Sequence, residues 1–196
     1  MSVTNYLKER GFNPDEGYSQ QVPQQVEDLI KLTKTPNINV MEIGFNAGHS
    51  AEIFLQNNPQ LTLTSFDLGS HDYVPVAKEY IDLTYPNRHT LILGDSRVSV
   101  PKFINDNNGK KFDIIFIDGG HDYDIARADL ENCKQLAHAD TIVIMDDTMY
   151  NTGWFQSYTM GPTRTWVEHL TDKKILGLNR VDYCIGRGMS WGKYIL

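Results

Sequence analysis

The chain has 196 residues, 40% of them apolar, and a mean hydropathy of -0.40, which fits one sizeable α/β domain and is short for two. A formal net charge of -7 and a pI near 5.3 argue against nucleic acid as a partner, because no segregated basic patch offsets the acidic balance. Cys133 and Cys184 are too few for a disulfide scaffold, and no apolar run suits a signal peptide or a membrane span, so a reducing cytoplasm is the expected setting.

Residues 1–36 read as an N-terminal helical extension. Within it, 11–17 is rich in turn formers, and 22–32 has helical spacing with Pro23 suited to a first turn. The remainder, 37–196, forms with it a single globular unit. A strand over 38–44 precedes a helix over 47–57. A strand over 61–67 precedes a helix near 76–83, and a strand over 89–94 a short helix near 98–105. A strand over 112–118, a helix from 122 to 137 and a strand over 141–146 complete the alternation. Regular β-α alternation means a doubly wound, mostly parallel sheet with helices on both faces, a Rossmann-like α/β fold. After Asp147 the pattern changes: 148–161 is rich in Tyr, Trp, Met and Gly, 163–170 is helical, and 174–180 with 182–188 form an antiparallel hairpin.

Three places carry chemistry. Gly44 and Gly48 in Met41-Glu-Ile-Gly-Phe-Asn-Ala-Gly-His-Ser50 would let backbone approach a ligand at a helix N-terminus. The spacing is not the Gly-x-Gly-x-x-Gly of dinucleotide sites, which disfavours NAD. Asp67, ending the second strand, stands where a carboxylate accepts hydrogen bonds from ribose hydroxyls. An ordinary turn with a helix-capping acid is the bland alternative, and the loop and acid together favour a nucleoside. Phe112–Asp118 and Ile142–Asp147 are apolar runs that end in acid. Joined by one right-handed crossover, they lie side by side ~4.8 Å apart, so Asp118, Asp146 and Asp147 can converge, with His121 three residues beyond Asp118. Oxygen ligands of this kind favour Mg²⁺, or Mn²⁺ or Ca²⁺, over zinc. Capping of the following helices is the alternative role for the acids and for His121. His49 reads as an exposed histidine at a helix start, and Cys133 as a packed or half-exposed thiol.

The string Glu42-x-Gly44-x-x-x-Gly48-x-Ser50, the acid Asp67, Gly94-Asp95-Ser96, Asp118-Gly-Gly-His121 and Asp146-Asp147 together resemble class I S-adenosylmethionine-dependent methyltransferases. Within these, the pattern is similar to the metal-dependent catechol and caffeoyl-CoA O-methyltransferases and to the macrocin-type sugar and cephalosporin-hydroxylase-like branch. Asn13-Pro-Asp-Glu-Gly17 looks like the lead-in segment of the same group. The resemblance implies a seven-stranded sheet of order 3-2-1-4-5-7-6, with strand seven antiparallel. It places Gly44, Asn46 and Ser50 at the methionine part of S-adenosylmethionine, with Glu42 beside the same turn. Asp67 would hold the ribose, Asp95 and Ser96 the adenine edge, and Asp118 would border both cofactor and metal. The divalent metal would bind Asp118, Asp146 and Asp147, and His121 would be the general base. Where catechol enzymes carry Asp-Asn, this chain has Asp146-Asp147, which points toward the sugar-modifying branch.

The expected substrate is a hydroxylated small molecule, sugar-like or phenolic, that takes a methyl group. Tyr150, Trp154, Phe155 and Tyr158 are candidates for an apolar wall over it, with packing on the final hairpin as the alternative, and His71, Asp72 and Tyr73 could rim the site. A hydroxylase-like enzyme on the same fold would need iron held by two histidines and a carboxylate. A binding or assembly protein that retains the fold is the third alternative. A homodimer through the N-terminal extension or the hairpin is compatible with the sequence.

Overall fold

The computed structural model describes residues 1–14 and 18–196; the lead-in motif at 13–17 therefore lies partly outside the described residues. Seven strands, β1 (Asn39–Ile43), β2 (Thr62–Asp67), β3 (His89–Leu93), β4 (Phe112–Ile117), β5 (Ala137–Asp146), β6 (Ile175–Cys184) and β7 (Arg187–Tyr194), form one sheet of order β3-β2-β1-β4-β5-β7-β6. The pairs from β3 through β5 are parallel, and β7 runs antiparallel to both β5 and β6. The fold class is as the β-α alternation predicts, and the strand order is as the family resemblance implies.

Alternate residues of the central strands feed two separate cores, as a period of two requires. Val40, Ile114, Phe116 and Ile144 face one side, where they meet α1 (Val3–Glu9), α2 (Pro23–Leu32), α3 (His49–Asn57) and α4 (Val74–Thr84). Met41, Ile43, Ile115, Ile117, Val143 and Met145 face the other. There they meet α5 (Ser96–Asp106), α6 (Tyr123–Cys133) and α7 (Met160–Thr171), with Trp166 and Cys133 fully buried among them. Burying a side chain such as Phe116 on one face or Ile115 on the other stabilises by roughly 1.5–3 kcal/mol, so the strands are held from both faces. The N-terminal extension joins the first core through Val3, Tyr6, Leu7 and Leu29. No helix among the described residues is long and apolar enough to cross a membrane.

The boundaries differ from the sequence reading in three places. The helix expected to reach residue 137 stops at Cys133, and a 3-10 turn over Lys134–Leu136 follows. β5 then starts at Ala137, four residues early. Ala137 lies opposite Phe112 across a register shift, and Thr141 donates to the Phe112 carbonyl while accepting from His138 N–H. The hairpin turn is not near residue 181: β6 continues to Cys184, and Gly186 turns the chain with φ +70°.

Glu42 sits fully buried at the end of β1, accepting hydrogen bonds from Ser65 at 2.6 Å and Ser50 at 2.8 Å. Burial raises its pKa from 4.5 to about 7, against the two hydroxyl donors. Between those values the folded chain keeps a proton that the unfolded chain has released, so stability falls as pH rises from about 4.5 through 7. Glu42→Gln, which stays neutral, is expected to be more stable than the parent by ~3 kcal/mol at pH 8 and equal to it near pH 4.5. Urea unfolding at the two pH values measures this; an equal gap at both would contradict it.

Candidate active site

The carboxyl ends of β1, β2, β3, β4 and β5 border a cavity of about 620 Å³. This is the crevice at the reversal of strand order where open α/β sheets bind ligands. Gly44 turns the chain out of β1 with φ +99°, and a Cβ there would fall on the Asp118 carbonyl oxygen, so only glycine lets β1 and β4 close at this point. Asp67 accepts the Asn46 N–H and the Gly69 N–H, each at 2.7 Å. Its carboxylate is thereby fixed at the cavity wall. Asp95 caps α5 by accepting the Arg97 N–H at 2.9 Å and is gripped by the Arg97 guanidinium, Nη2 donating at 2.6 Å.

Six of the residues expected to hold the cofactor line this cavity: Gly44, Asn46, Asp67, Asp95, Ser96 and Asp118. Glu42 and Ser50 do not; they bond to each other below the turn and brace it. His49 is not the exposed histidine expected at a helix start. It is buried, stacked on Tyr18 at 4.0 Å and bonded to Thr4, and desolvation lowers its pKa to about 4. Packing of the N-terminal extension over α3 covers it, which residue-by-residue reading of the loop does not register.

At the other end of the cavity, ligand atoms of Asp118, His121 and Asp147 lie within 4.8 Å of one another. His121 Nε2 is 2.9 Å from Asp147 Oδ2. Asp146, expected in the same group, is buried beside them, bordering a small pocket with Asp118, His121 and Asp147, and Gln25 Nε2 of α2 donates to both of its oxygens at 2.8 Å. Asp147 takes a left-handed backbone (φ +55°) and lines the large cavity, whereas Asp146 is held by Gln25. Burial and the neighbouring carboxylates push Asp118 well above the usual carboxylate range, with Arg187 opposing them. Burial and Asp147 raise Asp146 to about 7. Mutual repulsion of this kind is what a bound cation would relieve, and two carboxylates with one imidazole form a donor set that fits a divalent metal.

The turn bearing His121 is held from behind by α7, where a Cβ on Gly161 would strike the His121 carbonyl. Of the four aromatic residues considered for an apolar wall, Tyr158 lines the cavity, its ring 5.5 Å from that of His121. Tyr150 instead packs on the hairpin, with Arg180 3.9 Å over its ring, and Trp154 is tied there by its carbonyl accepting the Gly186 N–H. His71 lines the cavity and stacks on Tyr73. Two charged lining residues escaped the sequence reading: Arg97 and Arg187. Only the Gly186-Arg-Gly188 setting, glycine on both sides of one cation, could have signalled the second.

Comparison with known proteins agrees with this geometry. A family profile described as a methyltransferase domain matches residues 41–148. No curated protein matches the sequence. Among solved structures, the O-methyltransferase of Bacillus cereus in complex with S-adenosylhomocysteine superimposes with a TM-score of 0.75 at 16% identity, over 97% of this chain and 88% of that one. TomG of Streptomyces achromogenes, an O-methyltransferase of tomaymycin synthesis solved with S-adenosylmethionine, gives 0.72 at 13% identity, over 98% and 87%. The TDP-rhamnose 3'-O-methyltransferase of calicheamicin biosynthesis gives 0.65 at 17%, over 99% and 94%. The matched segment runs from β1 through the acids of β5, more than half of the chain, and the chain belongs to the methyltransferase domain family, on the fold shared by these O-methyltransferases.

Proposed function

We propose that the protein transfers a methyl group from S-adenosylmethionine to a hydroxyl of a small molecule, sugar-like or phenolic, with the help of a divalent cation. The observation that carries this reading is one cavity lined by two chemically different groups of residues. Gly44, Asn46, Asp67, Asp95 and Ser96 form one, and Asp118, His121 and Asp147 the other. S-adenosylmethionine, as bound in one of the similar structures, supplies an electrophilic methyl group. A cation such as Mg²⁺ or Mn²⁺ at Asp118 and Asp147 would lower the pKa of the acceptor hydroxyl.

The chain's own residues do the rest. Asp67 holds the ribose end of the donor, and Asp95 and Ser96 flank its base, so the donor's orientation is set before the acceptor arrives. His121 takes the hydroxyl proton. Asp147, its Oδ2 2.9 Å from Nε2, stabilises the imidazolium that results. Tyr158 closes the apolar side of this end.

The metal assignment is tested by titrating Mn²⁺ into Asp147→Asn. Loss of one carboxylate charge is expected to weaken binding by about tenfold or more while leaving S-adenosylhomocysteine affinity unchanged. Equal Mn²⁺ affinity in parent and variant would remove Asp147 from the site. Asp146→Asn, whose acid is engaged by Gln25, is expected to weaken the metal less than Asp147→Asn does.

A further inference from the structure

Two side chains with a permanent positive charge line the cavity among the described residues, Arg97 and Arg187, and they are in opposite situations. Arg97 is gripped by Asp95, with Nε and Nη2 both donating to its carboxylate. Arg187, at the start of β7, stands at the acceptor end with Asp118, His121, Asp147 and Tyr158. Its guanidinium makes no ion pair within 4.0 Å among the described residues, although Asp118 and Asp146 both feel its charge. Among the described residues its hydrogen bond is to a neutral atom, Nη2 donating to Gln25 Oε1 at 3.1 Å, and its Nε is buried with no partner. A guanidinium has five N–H donors in a fixed fork, a geometry that matches a carboxylate or a phosphate.

The surroundings hold this arginine in place. Gly188 on one side has no room for a Cβ against the Thr148 carbonyl, and Gly186 on the other has none against the Tyr158 hydroxyl. Gln25, fully buried on α2, uses its amide nitrogen on Asp146 and its oxygen on Arg187. The amide thus keeps cation and acid apart instead of letting them pair. A guanidinium meant only to neutralise Asp146 would contact it directly.

We propose that Arg187, positioned by Gln25, is the anchor for an anionic group on the acceptor, a carboxylate or a phosphate borne by the hydroxylated molecule. This rests on the methyltransferase reading above and narrows its substrate class to acidic acceptors. The group would meet the fork of Arg187 while the hydroxyl is presented to His121 and the carboxylates across the cavity. Charge-assisted hydrogen bonds of this type correspond to about a ten- to hundredfold preference for the acid over an uncharged analogue of the same shape.

The test uses the full chain saturated with S-adenosylhomocysteine and Mg²⁺, and two matched probe pairs: 3,4-dihydroxybenzoate with 3,4-dihydroxybenzamide, and glucuronate with glucuronamide. Calorimetry is expected to show the acid bound more tightly than its amide in at least one pair, and that preference is expected to vanish in Arg187→Met. Arg187→Lys, which keeps the charge and loses the fork, is expected to retain part of it and serves if the methionine variant does not fold. Equal affinity for acid and amide in both pairs, failure of all four probes to bind, or a preference that survives Arg187→Met would overturn the assignment. S-adenosylhomocysteine affinity is read in the same titrations. Its absence from the parent protein would overturn the methyltransferase reading itself, whereas its presence without a charge preference would overturn only the role of Arg187.

Discussion

His121→Ala is expected to lower kcat by about a hundred- to ten-thousandfold on any acceptor the enzyme turns over, with S-adenosylhomocysteine affinity unchanged. The size follows from the proton. A neutral hydroxyl is a poor nucleophile, and the group that removes its proton acts in the transition state without holding the donor. The ring is 2.9 Å from Asp147, sits on a turn that α7 supports, and lines the same cavity as Asp67. His121→Gln keeps a hydrogen-bonding side chain and removes the base, so it should be as slow as the alanine variant. If His121→Gln were nearly as active as the parent, the histidine would be a support for the turn and the base would have to be sought elsewhere.

The second large effect belongs to the other end of the cavity. Asp67→Ala is expected to weaken S-adenosylhomocysteine binding by about a hundred- to ten-thousandfold, the loss of two charge-assisted hydrogen bonds from ribose hydroxyls. Asp67 is also the acceptor for the Asn46 and Gly69 N–H groups, so its removal loosens both loops that border the donor. Asp67→Asn retains an acceptor oxygen and should fall between the two. Calorimetry measures the affinity, and a thermal unfolding curve separates loss of binding from loss of fold. Parent-like affinity in Asp67→Ala would remove the ribose contact.

What could be read from the sequence, and what could not, follows from the range of the interactions involved. The apolar runs of β1, β4 and β5 are short, continuous and end in turn residues or acid, so strands, parallel alternation and the crevice are all local patterns. Gly44, Asp67 and Asp118 could be placed from strand ends, and Asp95 and Ser96 from the family resemblance. The hairpin was harder, because Asn179 to Asp182 looks like a turn in isolation, whereas pairing with β7 carries β6 through it to Cys184. The acids of β5 were harder still. Three converging carboxylates follow from strand spacing, but the partner of each depends on distant segments: Asp146 is held by Gln25, 121 residues away along the chain. Arg187 and the burial of His49 were illegible for the same reason: both are set by contacts between distant segments.

The central claim is that the cavity binds the donor of a methyl transfer. Calorimetric titration of the pure, ligand-free protein with S-adenosylmethionine and S-adenosylhomocysteine, with and without Mg²⁺, tests it most directly. Saturable micromolar binding of both is the predicted result, with Asp67→Ala abolishing it. No binding of either ligand to the folded protein would contradict the account and leave Asp118, His121 and Asp147 as a site for some other ligand.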